Sequence, residues 1–262
     1  MNEINRLASI AKKLATAAYD ATAIAQLVGS DAITLDDAYE VQRQVVASRM
    51  DQGAKRIGMK MGFTSRAKML QMGLSDLIWG RLTSDMLIEE GGLIDLDRYV
   101  HPRVEPELCF LMGKPLEGLV TPLEALAAVE AIAPALEIID SRYLDFKFSL
   151  PDVIADNASS SGIVVGAWRS PRIDFSNLGL IMSFDGRAVE VGTTAALLGD
   201  PLRSLVAAAR LAAQYGERLE PGSLVMAGGA TAAVALKQDV MVRCEMQHLG
   251  SASFQTTRRG NA

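Results

Sequence analysis

Apolar and polar positions change period several times along this chain. Residues 4–28 are Ala-rich, with apolar side chains three and four apart, which predicts a helix closing near Gly29. Thr34 followed three positions later by Asp37 reads as a capping box, with Asp in place of the usual Glu. It predicts a second helix from Leu35 to about Met50, carrying Ala38, Val41, Val45 and Val46. The period then shortens to two: Ile57, Met59, Met61 and Phe63 alternate with Gly58, Lys60 and Gly62, the mark of a strand. Thr64-Ser65 predicts the cap of a short helix, Arg66 to Met72, stopped by Gly73. Leu74 to Ile88 reads as loop and turn around Trp79-Gly80.

After a Gly91-Gly92 turn and a short strand, Leu93 to Leu96, alternation returns at 101–110. Val104, Pro106, Leu108 and Phe110 face one side, and Glu105, Glu107, Cys109 and Leu111 the other. A proline has no N–H for a ladder, so this stretch predicts an edge strand or a bulge. Thr121-Pro-Leu-Glu124 is a capping box opening a helix through about Ile132, with Glu137 on the strand after it. Ile163 to Trp168 predicts another strand. Leu178 to Phe184, Asp185-Gly186 and Arg187 to Val191 form a hairpin. Asp200-Pro201 caps a helix that stops at Gly216. Val225 to Val234 predicts a strand interrupted by Gly228-Gly229, where a bulge or a ligand comes close to the backbone. Val240 to Met246 and Ser251 to Thr256 close the chain, with a frayed tail from Arg258. The pattern is α+β: a helical N-terminal arm (1–52) before a β-rich domain (53–262), mixed but mostly antiparallel, roll-like or barrel-like.

Composition narrows the function. An apolar share of 49% over 262 residues supplies a sizeable core, and a net charge of −5 argues against nucleic-acid or anionic-membrane surfaces. No apolar run is long enough to span a bilayer, and the first residues lack a basic stretch with an apolar core, so a cytoplasmic protein is expected. Cys109 and Cys244 read as buried free thiols. His101 and His248 lack zinc-type spacing. Gly58, Gly62 and Gly73 match neither nucleotide fingerprint.

The acidic residues are more informative. Glu105 and Glu107 share a strand face, roughly 6–7 Å apart at the backbone. Glu137 interrupts an apolar run, Ala131 to Asp140, with few cations nearby until Arg142. A buried carboxylate is costly unless paired or bound to a metal. Three such oxygens suit Mg²⁺ or Mn²⁺ in octahedral geometry with positions left for water and substrate. The alternative is a solvated edge face. Lys60, flanked by glycines on its own face, has room for something to approach it, against a simple solvated lysine. Asp156 to Ser161 is too polar for core and is either a solvated turn or a site wall.

Together, Lys60-Met-Gly-Phe-Thr-Ser65, Glu105-Pro-Glu107 with Glu137, and Ile154-Ala-Asp156-Asn-Ala-Ser-Ser160 resemble the 2-oxo-acid hydratases and decarboxylases of aromatic meta-cleavage pathways, within the fumarylacetoacetate hydrolase superfamily. The resemblance runs from about Leu35 to Phe254. Its hydratases carry an Asp where Ile78 precedes Trp79-Gly80. The stretches Ala67 to Gly73, Asp140 to Tyr143, Phe146 to Phe148 and Gly228 to Val234 are more similar to the decarboxylases.

The resemblance implies a metal-dependent decarboxylase of a 2-oxo dicarboxylic acid. Alternatives are a hydratase and a non-catalytic ligand-binding partner subunit. A hydrolase of the superfamily is disfavoured, because neither histidine lies in a suitable segment. By the same resemblance Glu105, Glu107 and Glu137 hold Mg²⁺ (or Mn²⁺), and Lys60 and Asp156 have catalytic roles, Lys60 as a positive charge or general acid. Ser159, Ser160 and Ser161 shape a polar wall, Ile78 gives the departing carboxylate apolar surroundings, and Thr231 donates to a substrate carboxylate. Arg142 is a candidate for the distal carboxylate on its charge alone. Expected partners are further copies of the chain and the pathway's 2-hydroxypentadienoate hydratase.

Overall fold

In the computed structural model, which describes residues 3–65, 69 and 76–258, the first helix, α1 (Glu3–Tyr19), buries Leu7, Ile10, Ala11, Leu14 and Ala17 along one stripe. It stops short of the predicted end. Ala21 takes a left-handed backbone, and Ile24 then bridges to Tyr143 as extended chain, its N–H donating to the Arg142 carbonyl at 2.7 Å. The apolar spacing past Tyr19 belongs to that extended segment; over so few residues periodicity does not separate the two. The second helix, α2 (Leu35–Asp51), opens at the predicted box: Thr34 Oγ1 accepts from the Asp37 N–H at 3.2 Å, and Asp37 accepts from the Thr34 N–H at 3.1 Å. Both helices share one apolar core with the sheets. Buried Gln42 ties α2 down by donating to the carbonyls of Trp79 and Ile154 at 3.0 and 2.9 Å.

Two mixed sheets follow. The first runs β2 (Ile78–Thr83), β1 (Arg56–Gly62), β10 (Leu224–Met226), β5 (Arg103–Met112), β6 (Val129–Ile139), β7 (Ser160–Val165) and β3 (Leu87–Ile88), with β11 (Val234–Ala235) also on β5. The second runs β4 (Leu93–Asp95), β13 (Gly250–Thr257), β12 (Met241–Met246), β8 (Gly179–Phe184) and β9 (Arg187–Thr193). Only β1–β10, β3–β7 and β4–β13 pair in parallel among the described strands, so the system is mostly antiparallel. β12 and β13 pack over β6, joining Val242, Cys244 and Phe254 to Leu136 and Ile138 in the core. Among the described residues three further α-helices, α3 (Pro122–Ala128), α4 (Leu150–Ala155) and α5 (Pro201–Gln214), fill the connections. The β8–β9 hairpin turns on Asp185 and Gly186, both at positive φ, as an Asp-Gly turn requires.

Several expectations change. Leu74 to Ile88 is not all loop: Ile78 to Thr83 forms β2, fully buried, because β1 and the aromatic cluster of Tyr39, Trp79 and Tyr215 cover it. α3 ends at Ala128, and Val129 starts β6 directly, where Val129 and Ile132 pair with Met112 and Phe110. Val225 to Val234 is not one strand but β10 and β11 with a loop between them. β5 is central, not an edge, and the register shift that it carries falls between Leu111 and Met112, away from Pro106. Pro106 is tolerated there because its carbonyl faces that loop, accepting from the Ala230 N–H at 2.9 Å, so its missing N–H falls where the ladder is already broken. The strand placed at Ile163 begins at Ser160 and ends at Val165. The helix expected from Arg66 to Met72, apart from Met69, and the tail beyond Arg258 lie outside the described residues. No described helix is long and apolar enough to cross a membrane. Cys109 and Cys244 are buried free thiols.

Candidate metal centre

The β5–β6 register sets Glu105 directly opposite Glu137, with Glu107 two residues on along the same face of β5. One oxygen from each of the three lies within 4.8 Å of the others. Glu107 and Glu137 are completely buried. Lys60, from the middle of β1, brings Nζ to 2.9 Å from Glu137 Oε2 and is 3% exposed. Ser160, at the start of β7, donates to Glu137 Oε1 at 2.8 Å. Glu107 Oε2 accepts from the Gly228 N–H at 2.8 Å, while its Oε1 is buried with no hydrogen-bond partner among the described residues.

The loop between β10 and β11 is pressed onto this cluster. A Cβ on Gly229 would stand 2.3 Å from Glu105 Oε2, and one on Gly228, at φ 109°, would stand 2.2 Å from Thr64 Oγ1. Only glycine allows that approach. The glycines around Lys60 serve packing as well. A Cβ on Gly58 would collide with the Leu224 carbonyl oxygen at 1.9 Å, and one on Gly62 with Ile78 Cγ1 at 2.9 Å. Neighbouring strands fill the space over both glycines, and the room to approach Lys60 is the cavity that it lines together with Gly62.

Burial pulls the Lys60 pKa down, but the carboxylates of Glu137, Glu105 and Glu107 outweigh it and hold the ammonium above its ordinary value. Burial, then Glu137 and Glu105, push the Glu107 carboxyl well above the usual carboxylate range. Three converging carboxylates face one ammonium, and one of their oxygens is orphaned. That is an excess of hard negative oxygen in a dry place, which a divalent cation neutralises and an apolar core does not. The residues present fit Mg²⁺ or Mn²⁺.

A cavity of about 310 Å³ opens beside the cluster, lined by Lys60 and Glu105 and by Ile78, Arg103, Phe146 and Phe148 among others. Ser159 also lines it; its hydroxyl is buried without a partner among the described residues. Arg142 and Asp156 are not at this cavity. They form a buried ion pair, in which Asp156 also accepts from the Arg142 N–H at 2.9 Å and Arg142 Nη1 donates to Ser161 Oγ at 2.7 Å. That pair lies in the wall of a second cavity, of about 500 Å³, between α1, α2 and the β3–β4 region. Thr231 sits at the rim of the glycine loop, its methyl facing Gly192 on β9 and its hydroxyl donating to the Ala232 carbonyl at 3.1 Å.

Two features escaped the reading of the sequence. Arg103 lies two residues before Glu105, on the same strand face, so strand alternation already carried the signal. Asn157 exchanges hydrogen bonds with the backbone of Arg81, accepting from its N–H at 2.7 Å and donating to its carbonyl at 2.8 Å. This clamps β2 to a turn in which Asn157, Ala158 and Ser159 are all left-handed. No local pattern announces that contact.

The two-sheet fold is one shared by solved fumarylpyruvate and fumarylacetoacetate hydrolases. A solved fumarylpyruvate hydrolase of Pseudomonas aeruginosa shares the fold at a TM-score of 0.63 and 16% identity, over 78% of this chain and 90% of its own. A 4-oxalocrotonate decarboxylase of a Pseudomonas species is 69% identical over 252 residues, covering 96% of this chain and 98% of that protein. The solved 4-oxalocrotonate decarboxylase of Pseudomonas putida G7, complexed with magnesium and adipate, superposes at a TM-score of 0.93 with 35% identity, over 98% of this chain and 99% of its own. The chain belongs to the 4-oxalocrotonate decarboxylase family. Hydratases of 2-keto-4-pentenoate are related at lower identity, and no family model matches the chain.

Proposed function

We infer that this protein is a Mg²⁺-dependent carboxy-lyase that converts 2-oxo-3-hexenedioate (4-oxalocrotonate) to 2-hydroxypenta-2,4-dienoate and CO₂ in aromatic meta-cleavage degradation. The observation that carries the reading is the meeting of three glutamates and one lysine beside an otherwise largely apolar cavity, in a chain 69% identical to a protein of that activity.

Glu105, Glu107 and Glu137 would hold the ion, which when bound supplies Lewis-acid pull on the substrate's keto oxygen. The distal carboxylate is vinylogous to that ketone. As the C5–C6 bond breaks, its electron pair forms the C4–C5 double bond, the C3–C4 π pair moves to C2–C3, and the keto oxygen takes the charge. One proton on that oxygen completes the product. Lys60, kept charged by its carboxylate neighbours, would stabilise the negative oxygen and deliver that proton. Ile78, with Phe146 and Phe148, excludes water around the departing carboxylate. Ser160 orients Glu137. Asp156, Arg142 and Ser161 act one layer back, as the buried support of the turn that carries Ser159. Further copies of the chain, and the hydratase that consumes the unstable product, are the expected protein partners, testable by light scattering and co-purification.

The direct test incubates the protein with 2-oxo-3-hexenedioate and, separately, with 2-hydroxypenta-2,4-dienoate, each with Mg²⁺ and with EDTA. CO₂ release from the first, lost in EDTA, is expected. Consumption of the second without CO₂ would make the protein a hydratase. Full activity after metal removal would end the metal-dependent reading.

A further inference from the structure

Lys60 pairs with Glu137 at the glutamate cluster, and the cavity holds one other cation among its described lining residues, Arg103. Its side chain projects from the same face of β5 as Glu105 and Glu107. Arg103 has no ion pair among the described residues. Its Cζ lies 4.5 Å from the centre of the Phe146 ring, which holds the guanidinium at the cavity by a cation–π contact. Phe146 is fixed in turn: it packs on Phe148 and His101, and its own backbone is left-handed, at φ 58°, an uncommon conformation for a bulky residue. The turn at 145–146 thus sets an aromatic platform beneath an uncommitted positive charge.

The spacing suits a particular ligand. Arg103 and Glu105 are two strand residues apart, roughly 6.8 Å at the backbone. A six-carbon dicarboxylic acid spans about 6 Å between its carboxyl carbons, five zigzag bonds of about 1.5 Å. With its oxo-acid end at the glutamate cluster, its far carboxylate would reach the guanidinium, while the other walls there are apolar or carry only the hydroxyls of Thr64, Ser65 and Ser159.

We propose that Arg103 is the specificity-determining residue of this site, selecting 2-oxo dicarboxylic acids over 2-oxo monocarboxylic acids by pairing with the distal carboxylate. The proposal rests on the reading of the site as a 2-oxo-acid enzyme. It predicts an unusual kinetic split. The paired carboxylate is the one that leaves, so Arg103 holds bound substrate at least as well as the transition state, and its loss raises KM without lowering kcat.

The test compares wild type, Arg103→Leu and Arg103→Lys in saturating Mg²⁺, with 2-oxoadipate and 2-oxohexanoate as competitive inhibitors of equal chain length. Arg103 is exposed on a strand, so the variants are expected to fold, which circular dichroism checks. In Arg103→Leu the preference for 2-oxoadipate over 2-oxohexanoate falls threefold or more, the affinity for 2-oxohexanoate is retained, KM for 2-oxo-3-hexenedioate rises and kcat changes less than threefold. Arg103→Lys restores part of the preference. A preference that changes less than threefold in Arg103→Leu, or a kcat that falls with KM unchanged, overturns the proposal. A wild-type protein that binds neither oxo acid in Mg²⁺ overturns the reading of the site beneath it.

Discussion

Replacing Glu107 with Gln should stabilise the metal-free protein and destabilise the metal-loaded one relative to wild type. The amide keeps the size of the side chain, and its oxygen can still accept from the Gly228 N–H, which now donates to Glu107 Oε2 at 2.8 Å. Its new NH₂ group replaces the orphaned Oε1 and can donate towards the neighbouring carboxylates, where a third acidic group now sits. Relieving one unsatisfied buried acceptor is worth about 1–3 kcal/mol. For a chain of this size that is a rise in Tm of roughly 2–12 °C in EDTA. In Mg²⁺ the order reverses. Wild type gains about 2.7 kcal/mol at a hundredfold excess of free ion over Kd, and the variant, short of one ligand, forfeits most of it. The pH dependence adds a second signature. Metal-free folded wild type holds the Glu107 proton above the pH at which the unfolded chain, near 4.5, releases it. That contribution to stability is complete below the unfolded value and is lost as pH rises through the raised folded one. The Glu107→Gln change removes this slope. Differential scanning fluorimetry of both proteins, in EDTA and in MgCl₂ from pH 4.5 to 8.5, reads all three effects. A variant that melts below wild type in EDTA, or that keeps the full Mg²⁺-induced shift, would refute the account of the cluster as a frustrated cation site.

The same carboxylate-to-amide change at Asp156 should act oppositely. Burial pushes the Asp156 carboxyl up to about 6 against the pull of Arg142, and Asp156→Asn leaves the buried guanidinium without its counter-ion, costing about 3–5 kcal/mol by thermal melt while the Mg²⁺-induced shift survives; loss of turnover at unchanged Tm would instead mark Asp156 as a group that meets the substrate. Gly229→Ala puts a methyl 2.3 Å from Glu105 Oε2, so calorimetric Mg²⁺ affinity should fall tenfold or more with the circular dichroism spectrum kept. Lys60→Met should lower kcat/KM at least a hundredfold in Mg²⁺ and leave the Ki of a 2-oxo acid within tenfold; equal losses in both would make Lys60 a binding residue only.

How far the chain could be read in advance follows from the range of each interaction. The Thr34–Asp37 and Thr121–Glu124 boxes and the Asp185-Gly186 hairpin are decided within four residues, and all three formed where the pattern put them. The pairing of Glu105 with Glu137 required only that two alternating strands be antiparallel neighbours. What stayed hidden needed distant partners. Ile78 to Thr83 looks like loop because Trp79-Gly80 interrupts its alternation, yet it pairs with β1, packs against α2 and is buried throughout. Arg142 and Asp156 lie on either side of a helix in sequence, so nothing local announced that the two would pair.

Pro106 and the Gly228-Gly229 pair are best understood as one device. A proline in a central strand leaves one donor missing from the ladder, and here the gap falls opposite the break between β10 and β11, where the loop gives the backbone of β5 only the N–H groups of Ala227 and Ala230. The glycines let that loop lie flat against Glu105 and Thr64, and Gly228 turns its own N–H onto Glu107. A regular strand in this place would spend those backbone groups on β5 and set side chains over the carboxylates. Pro106 has no N–H with which to draw a loop carbonyl into the ladder, so the loop keeps the course that brings the Gly228 N–H to Glu107. The proline thus bears on the cation site through the course of the loop, not through the glutamates' own oxygens. Its replacement by a residue with an N–H, which would re-arm the ladder, should weaken Mg²⁺ binding measured by calorimetry although no ligand is touched.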